Sequence, residues 1–583
     1  MKKTFFLFTV LMIWFNYSNA QVVQPEDARI LAHNFYSEVI SATMDDDAFI
    51  LAIEPTIISD NGLPVMYVFE TTDRPGFIMI AADYAVYPVL GYSFESYFNE
   101  PSVSPAFEDM IAGVASQITS ARVQKLLPTE ETEHAWTNYL TPMFVKSTKE
   151  IKAQLPLLLT KWNQDCYYNE LCPADLAGPC GHVYAGCVAT AMAQVMKFHN
   201  WPDSGEGYRT YLSNGYGTLH VDFSEQIYDW SAMYEQLNDQ NYQEGAKLIY
   251  HCGVAVQMNY SPDGSGAQTL NSADVLRQNF KYSEYTDHMD KEFFSDDNWA
   301  EMLRIELLSQ RPIMYRGFGT AGGHAFVCDG FQDQGPKFFH FDFGWSGSSN
   351  GYYNLTTLNG FAGGQAGLFG VEPRYTGPSY CEDYTLLTAS EGTISDGSGN
   401  TRYANNSNCE WLIQPDDAGA IALTFTELKT EPGIDRIFIY EGTSENDRLI
   451  ATVSGFDLPA HPVVVSGGSM FVKFISDEMN AAPGWEATYT TWFTDVEGYT
   501  KGEISVSPNP ASELINVQLD ASFNEILNIL VCDLTGRKVL NINTSPQNGC
   551  FSVDVSTLAK GVYTIEVFNG NQSIAQEKIV INK

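Results

Sequence analysis

"GCVATAMAQVMKFHNWP", residues 186–202, decides how this chain is read. A glycine precedes Cys187, after which Ala191, Val195 and Phe198 recur at helical spacing until Pro202 closes the segment. The alanine-rich run favours a helix. Cys187 then stands at the helix N-terminus, where free N–H groups and the macrodipole favour a thiolate. A lowered thiol pKa there makes a nucleophile available at neutral pH. A cysteine that merely packs in a core is the other reading of this stretch.

The chain has 583 residues, more than one hydrophobic core holds, so several domains are expected. Hydrophobic residues make up 44%, which is a folding composition. Its net charge of −39 argues against a nucleic-acid partner, which needs clustered Lys and Arg, and suits solubility outside the cell. MKKTFFLFTVLMIWFNYSNAQ has a basic start, an apolar run from Phe5 to Phe15 and a small-residue site ending at Ala20. It reads as a secretory signal peptide, residues 1–20. No later stretch is long and apolar enough to cross a bilayer, so no transmembrane segment is expected. Ten cysteines in an exported chain suggest disulfides, with full pairing or one free reactive thiol both open.

Four regions follow the leader. Residues 21–150 mix a helical start (PEDARILAHNFYSEVI) with strand-like VMYVFE and GFIMIAAD, and an exposed, cleavable stretch is expected at 145–155. Residues 151–375 place helices before strands, an α+β order. Residues 381–495 and 502–583 alternate short strands with Gly, Asp, Asn and Pro turns, as β-sandwiches do.

In the second region GTAGGHAFVCDGF (319–331) sets His324 after two glycines and before an apolar strand. His324 follows Cys187 by 137 residues, and papain-type peptidases separate the same pair by roughly 130–150. The segments GCVATAMAQVMKFHNWP, GGHAFVCDGF and FHFDFGWSG resemble the streptopain family of secreted bacterial cysteine peptidases. The resemblance covers roughly residues 20–375. It implies a papain-like α+β fold and a cysteine-type endopeptidase made as a zymogen, with residues 21–150 as its inhibitory propeptide. It further implies Cys187 as nucleophile, His324 as general acid/base and Gln164, in KWNQDCYYN, as an oxyanion donor. No cofactor is needed for such catalysis. Glycine-rich MNYSPDGSGAQ and RGFGTAGG match cleft loops, which makes Ser265, Gly322, Gly323 and Trp345 candidate substrate contacts.

One departure stands out. Asp342 and Phe343 occupy positions where the family has Asn and Trp. An aspartate still orients a histidine, but it favours the imidazolium. A Cys–His–Asp set also serves acyl transfer of the transglutaminase kind, so that activity is an alternative. A catalytically inactive adhesin working through its β-module is another.

Residues 381–489 resemble a CUB domain. That likeness implies a Cys381–Cys409 disulfide and a structural calcium ion held by Glu427, Asp435 and Asp477, whose hard oxygens suit it. VSPNPASELINVQL, LTGRKVL and LAKGVYTIEV resemble a type IX secretion sorting domain. It implies export through the periplasm and outer membrane to a secreted or cell-surface location, with the secretion machinery as partner. Protein substrates and the chain's own propeptide are the other expected partners.

Overall fold

The computed structural model describes residues 22–43, 49–98, 104–141, 153–319, 322–333, 337–354, 363–374, 378–493, 504–519, 526–533, 537–547, 549–569 and 572–583. The expected leader, and residues 145–152 of the expected cleavable stretch, lie outside them.

The N-terminal region opens with helix α1 (Pro25–Thr43) and continues through four strands, β1 (Thr56–Asp60), β2 (Leu63–Glu70), β3 (Phe77–Ala81) and β4 (Val89–Ser93). Helices α2 (Pro105–Gln124) and α3 (Glu130–Tyr139) follow. Strand β3 is buried along its whole length, as FIMIA requires when both faces of a sheet are covered.

The four strands do not form a separate sheet. They continue, in order, into Gly351–Asn354, Lys337–Asp342, Gly323–Asp333, Ile313–Phe318, Gly363–Phe369 and Asp287–Asp290. At the joint, Tyr352 pairs with Tyr92 and Tyr353 with Gly91. Gly91 is required there, because a Cβ would lie 2.4 Å from the Tyr353 ring. Phe35 of α1 meets Phe338 at 5.6 Å between ring centroids, so one aromatic core runs across both regions. The class is α+β, as expected.

Helix α4 (Cys187–His199) packs on the Gly323–Asp333 strand and on the Gln243–Ala255 helix. Every residue from Val188 to Met196 is buried, so α4 is a central helix rather than an amphipathic one with a wet face.

The third region carries a sheet of Thr385–Leu387, Asn408–Ile413, Met470–Ile475, Arg436–Glu441 and Arg448–Val453. Trp485, from a second sheet, packs against Trp411 and Phe474 of the first. Cys381 is bonded to Cys409. The C-terminal region pairs Ile504–Ser507, Leu514–Leu519 and Cys550–Asp554 in one sheet and four strands in another, around Ile515, Val531, Ile565 and Ile579. Among the described residues, no helix is long and apolar enough to cross a membrane.

Candidate active site

Gly186 explains the glycine before Cys187. Its φ of 94° belongs to the left-handed region, and a Cβ would lie 2.7 Å from Met258 Cε and 3.1 Å from the Ser265 carbonyl oxygen. The chain therefore turns sharply into α4, with Ser265 against the turn. No side chain caps the helix, and the N–H groups of Cys187 and Val188 point at the sulfur. The Ala325 N–H also donates to Cys187 Sγ, at 3.5 Å. These three donors favour the thiolate, yet burial of the sulfur is the larger effect and raises the thiol pKa above its ordinary value. The expected low pKa is thus corrected for this form.

His324 precedes Ala325 on its strand, so its ring is rooted one residue from the thiol contact. The ring does not rest on a catalytic partner. Nε2 lies 2.9 Å from Asp109 Oδ2, a carboxylate of helix α2 that is only 6% exposed. Asp109 reaches this point because position 319 has no side chain, where a Cβ would sit 2.3 Å from Asp109 Oδ2. Gly322 turns with a φ of 142°, its carbonyl accepting the Gly319 N–H at 2.8 Å. Gly323 leaves room for the Phe318 ring. Of the two glycines expected as substrate contacts, Gly322 accepts from Gly319 and Gly323 borders Phe318, while the room for Asp109 is made by Gly319.

Gln164 is buried, and its Nε2 donates to the Gly344 carbonyl at 3.5 Å while its own carbonyl accepts the Ala185 N–H at 2.9 Å. A Cys166–Cys180 disulfide closes the loop that follows. Cys172, Cys252 and Cys328 are buried free thiols, so full pairing of the cysteines is ruled out.

Asp342 does not meet His324. Its Oδ1 accepts from the Gly344 N–H at 2.8 Å and from Gln194 Nε2 at 3.2 Å, and its Oδ2 accepts from Asn350 Nδ2 at 3.0 Å. Burial, with the charge of Asp329, lifts its pKa to about 6 despite these donors. Asp342 fixes Gly344, and through it Gln164, rather than the histidine. Phe343 packs between Phe107 of α2 and Phe326, at 6.0 and 5.2 Å between ring centroids. Trp345 stands half-buried beside Tyr184.

A second histidine is gripped from the same side. His340 is buried, with Nδ1 2.6 Å from Asp329 Oδ1 and Nε2 2.8 Å from Glu95 Oε1. Asp329 reaches inward from a bulge in the strand pairing, and Glu95 follows β4 and also pairs with Lys161 at 3.0 Å. Neither Asp109 nor Glu95 has a sequence signature. Each sits in an ordinary acidic stretch more than 200 residues before its histidine.

In the third region Glu431, Asp435 and Asp477 bring carboxylate oxygens within 4.8 Å of one another. Glu427, expected as the third member, is exposed on the Ala418–Lys429 strand and outside this group. The strand ends at Lys429, and the loop beyond it carries Glu431 inward.

Residues 162–353 match the Peptidase C10 family, and residues 20–118 match a Spi protease inhibitor domain. Residues 381–489 match a CUB domain, and 505–582 a secretion system C-terminal sorting domain. Streptopain of Streptococcus pyogenes is 30% identical over 337 residues, spanning 53% of this chain and 81% of that protein. The chain belongs to the Peptidase C10 family. Members of this family are cysteine-type peptidases, and the sorting domain marks this one for secretion or the cell surface. The thiol protease/hemagglutinin PrtT of Porphyromonas gingivalis is 27% identical over 393 residues, which is 64% of this chain but only 44% of PrtT. Among solved structures, a fragment of Prevotella intermedia prointerpain A is 28% identical, with a TM-score of 0.46, covering 57% of this chain and all of that one.

Proposed function

We propose that this chain is the latent form of an exported cysteine endopeptidase, in which the Asp109 carboxylate on His324 keeps catalysis off. One observation carries the reading. The peptidase histidine, one residue from the contact with the Cys187 sulfur, is engaged by a buried acid from the inhibitor domain.

Removal of the inhibitor domain takes that acid away. His324 then turns to Cys187 Sγ and takes its proton. The sulfur attacks a peptide carbonyl carbon, and the C–S bond forms as the carbonyl π pair moves to oxygen. The Cys187 N–H and Gln164 Nε2 donate to that oxyanion, donors worth roughly 10²–10³ in rate each. His324 returns the proton to the leaving amine as the C–N bond breaks, leaving a thioester. It then draws a proton from water, whose oxygen attacks the thioester, and protonates the departing sulfur. Protein substrates, the inhibitor domain and the secretion machinery are the partners this scheme needs. With Asp342 held by Gln194 and Asn350, nothing favours the transglutaminase-like alternative.

Calcium fits the CUB domain. Glu431 Oε2 is buried without a hydrogen-bond partner, inside a set of three hard carboxylates. Glu431, Asp435 and Asp477 would hold the ion, which supplies structural cross-linking and no step of catalysis.

Residues 21–583 and their Cys187→Ala variant, incubated with casein and with a thiol-directed epoxide, test the peptidase reading. The wild type is expected to shorten near residues 145–155, cleave casein and take the label on Cys187, and the variant to do none of these. If both stay inert after that stretch is cut by another protease, the peptidase reading falls and the adhesin reading replaces it.

A further inference from the structure

The CUB carboxylates stand next to a buried ionic junction with the peptidase domain. Arg311, 1% exposed, is held by Glu306 at 2.6 and 2.8 Å and by Glu372 at 3.3 Å. Arg402, from the CUB side, reaches the same Glu372 at 3.0 Å and the Gln310 carbonyl at 2.7 Å. Both guanidinium groups converge on one CUB carbonyl. The Ala481 oxygen accepts from Arg311 at 2.9 Å and from Arg402 at 2.8 Å.

That carbonyl belongs to the segment that also closes the carboxylate group. Asp477 is a member, and its N–H donates to Asp435 at 2.9 Å. Asn480 donates to Glu431 Oε1 at 3.0 Å, and its backbone has a φ of 57°. Its Oδ1 lies 3.4 Å from where a Cβ on Gly370 of the peptidase domain would stand. Tyr403, beside Arg402, donates to Asp435 and accepts the Glu431 N–H at 3.0 Å. Three carboxylates this close repel one another when ionised, and a cation among them relieves that repulsion.

We propose that the cation site of the CUB domain is also the fastening between that domain and the peptidase domain: calcium draws Glu431, Asp435 and Asp477 together, and this holds Asn480 and Ala481 against Gly370 and Arg311. This rests on the calcium reading given above. By linkage, a junction that calcium tightens must in turn tighten calcium.

Two measurements on the full chain test it. Calorimetric titration with calcium chloride compares the wild type with Asp435→Asn, Arg311→Met and Arg402→Gln. Limited proteolysis of the wild type, with calcium or with EDTA, follows cleavage in residues 374–384. Binding is expected in the wild type and lost in Asp435→Asn. The two arginine variants should bind at least about 5-fold more weakly, the lower end of usual coupling, and calcium should slow wild-type cleavage by a similar factor. The cleavage arm needs no variant, so a misfolded arginine variant does not shield the proposal. If the wild type binds but the arginine variants bind equally well and cleavage ignores calcium, the fastening is overturned while the calcium site stands. If the wild type does not bind calcium, both are overturned.

Discussion

His324 and His340 lie on neighbouring strands of one sheet, and each is held by a carboxylate from the inhibitor domain, yet the two contacts do different work. His340 is buried between Asp329 and Glu95, so both ring nitrogens are engaged and its charge is fixed. His324 keeps 16% of its side chain exposed, beside a turn of glycines, and pairs with Asp109 through Nε2. Under the proposed latency, the first contact fastens the inhibitor domain and the second blocks the chemistry. Fastening needs burial and saturation, whereas a block must come away.

The largest expected difference is in stability. His340→Leu leaves Asp329 and Glu95 facing each other without a proton between them, and should cost about 3–5 kcal/mol in denaturant unfolding. His324→Ala strips one partner from the buried Asp109 carboxylate but removes a ring that is partly exposed, so it should cost less, about 1–3 kcal/mol, while abolishing casein cleavage after processing.

Acidity separates the two next. Burial alone would lower the His340 pKa, but Asp329 and Glu95 more than offset it and raise it from 6.5 to about 10. That stabilisation is complete below about 6.5 and fades as pH climbs through about 10. Burial would raise Glu95, but His340 and Lys161 bring it from 4.5 down to about 2, so its share is complete above about 4.5 and lost as pH falls through about 2. The hold on the inhibitor domain should therefore be strongest between about pH 4.5 and 6.5, as unfolding midpoints across pH will show. Glu95→Gln should flatten the acid side.

A smaller effect is expected at Asp342. Were it the orienting acid of a triad, Asp342→Asn would cost roughly 10⁴ in kcat. Held instead on Gly344, Gln194 and Asn350, it should cost less than about 10-fold in the processed enzyme, measured on a peptide substrate.

What the sequence disclosed follows the same division. The placement of Cys187 at a helix start and of His324 at a strand start is legible because a glycine before a helix and a histidine before an apolar strand are local signals. The boundary of α4 at Cys187 and the α+β order are legible for the same reason. Asp109 is not, since FEDM reads as any helix surface and its partner is 215 residues away. Glu431 was missed for a related reason. Counting eight residues back from Asp435 lands on an exposed strand position, Glu427, and only the loop after Lys429 shows which acid turns inward. A raised thiol pKa in this form was not legible, because a helix N-terminus is read from sequence whereas the desolvation of its sulfur belongs to tertiary structure.

The most direct measurement is the rate at which Cys187 is alkylated by iodoacetamide at pH 7 in the uncleaved chain, read by mass spectrometry of the Cys187 peptide, in wild type, Asp109→Ala and Asp109→Ala/His324→Ala. If Asp109 is the block, Asp109→Ala should react at least about 10-fold faster than wild type, the tenfold that about 1.4 kcal/mol gives, and the double variant should fall back. Equal rates in wild type and Asp109→Ala would contradict a latency held at His324.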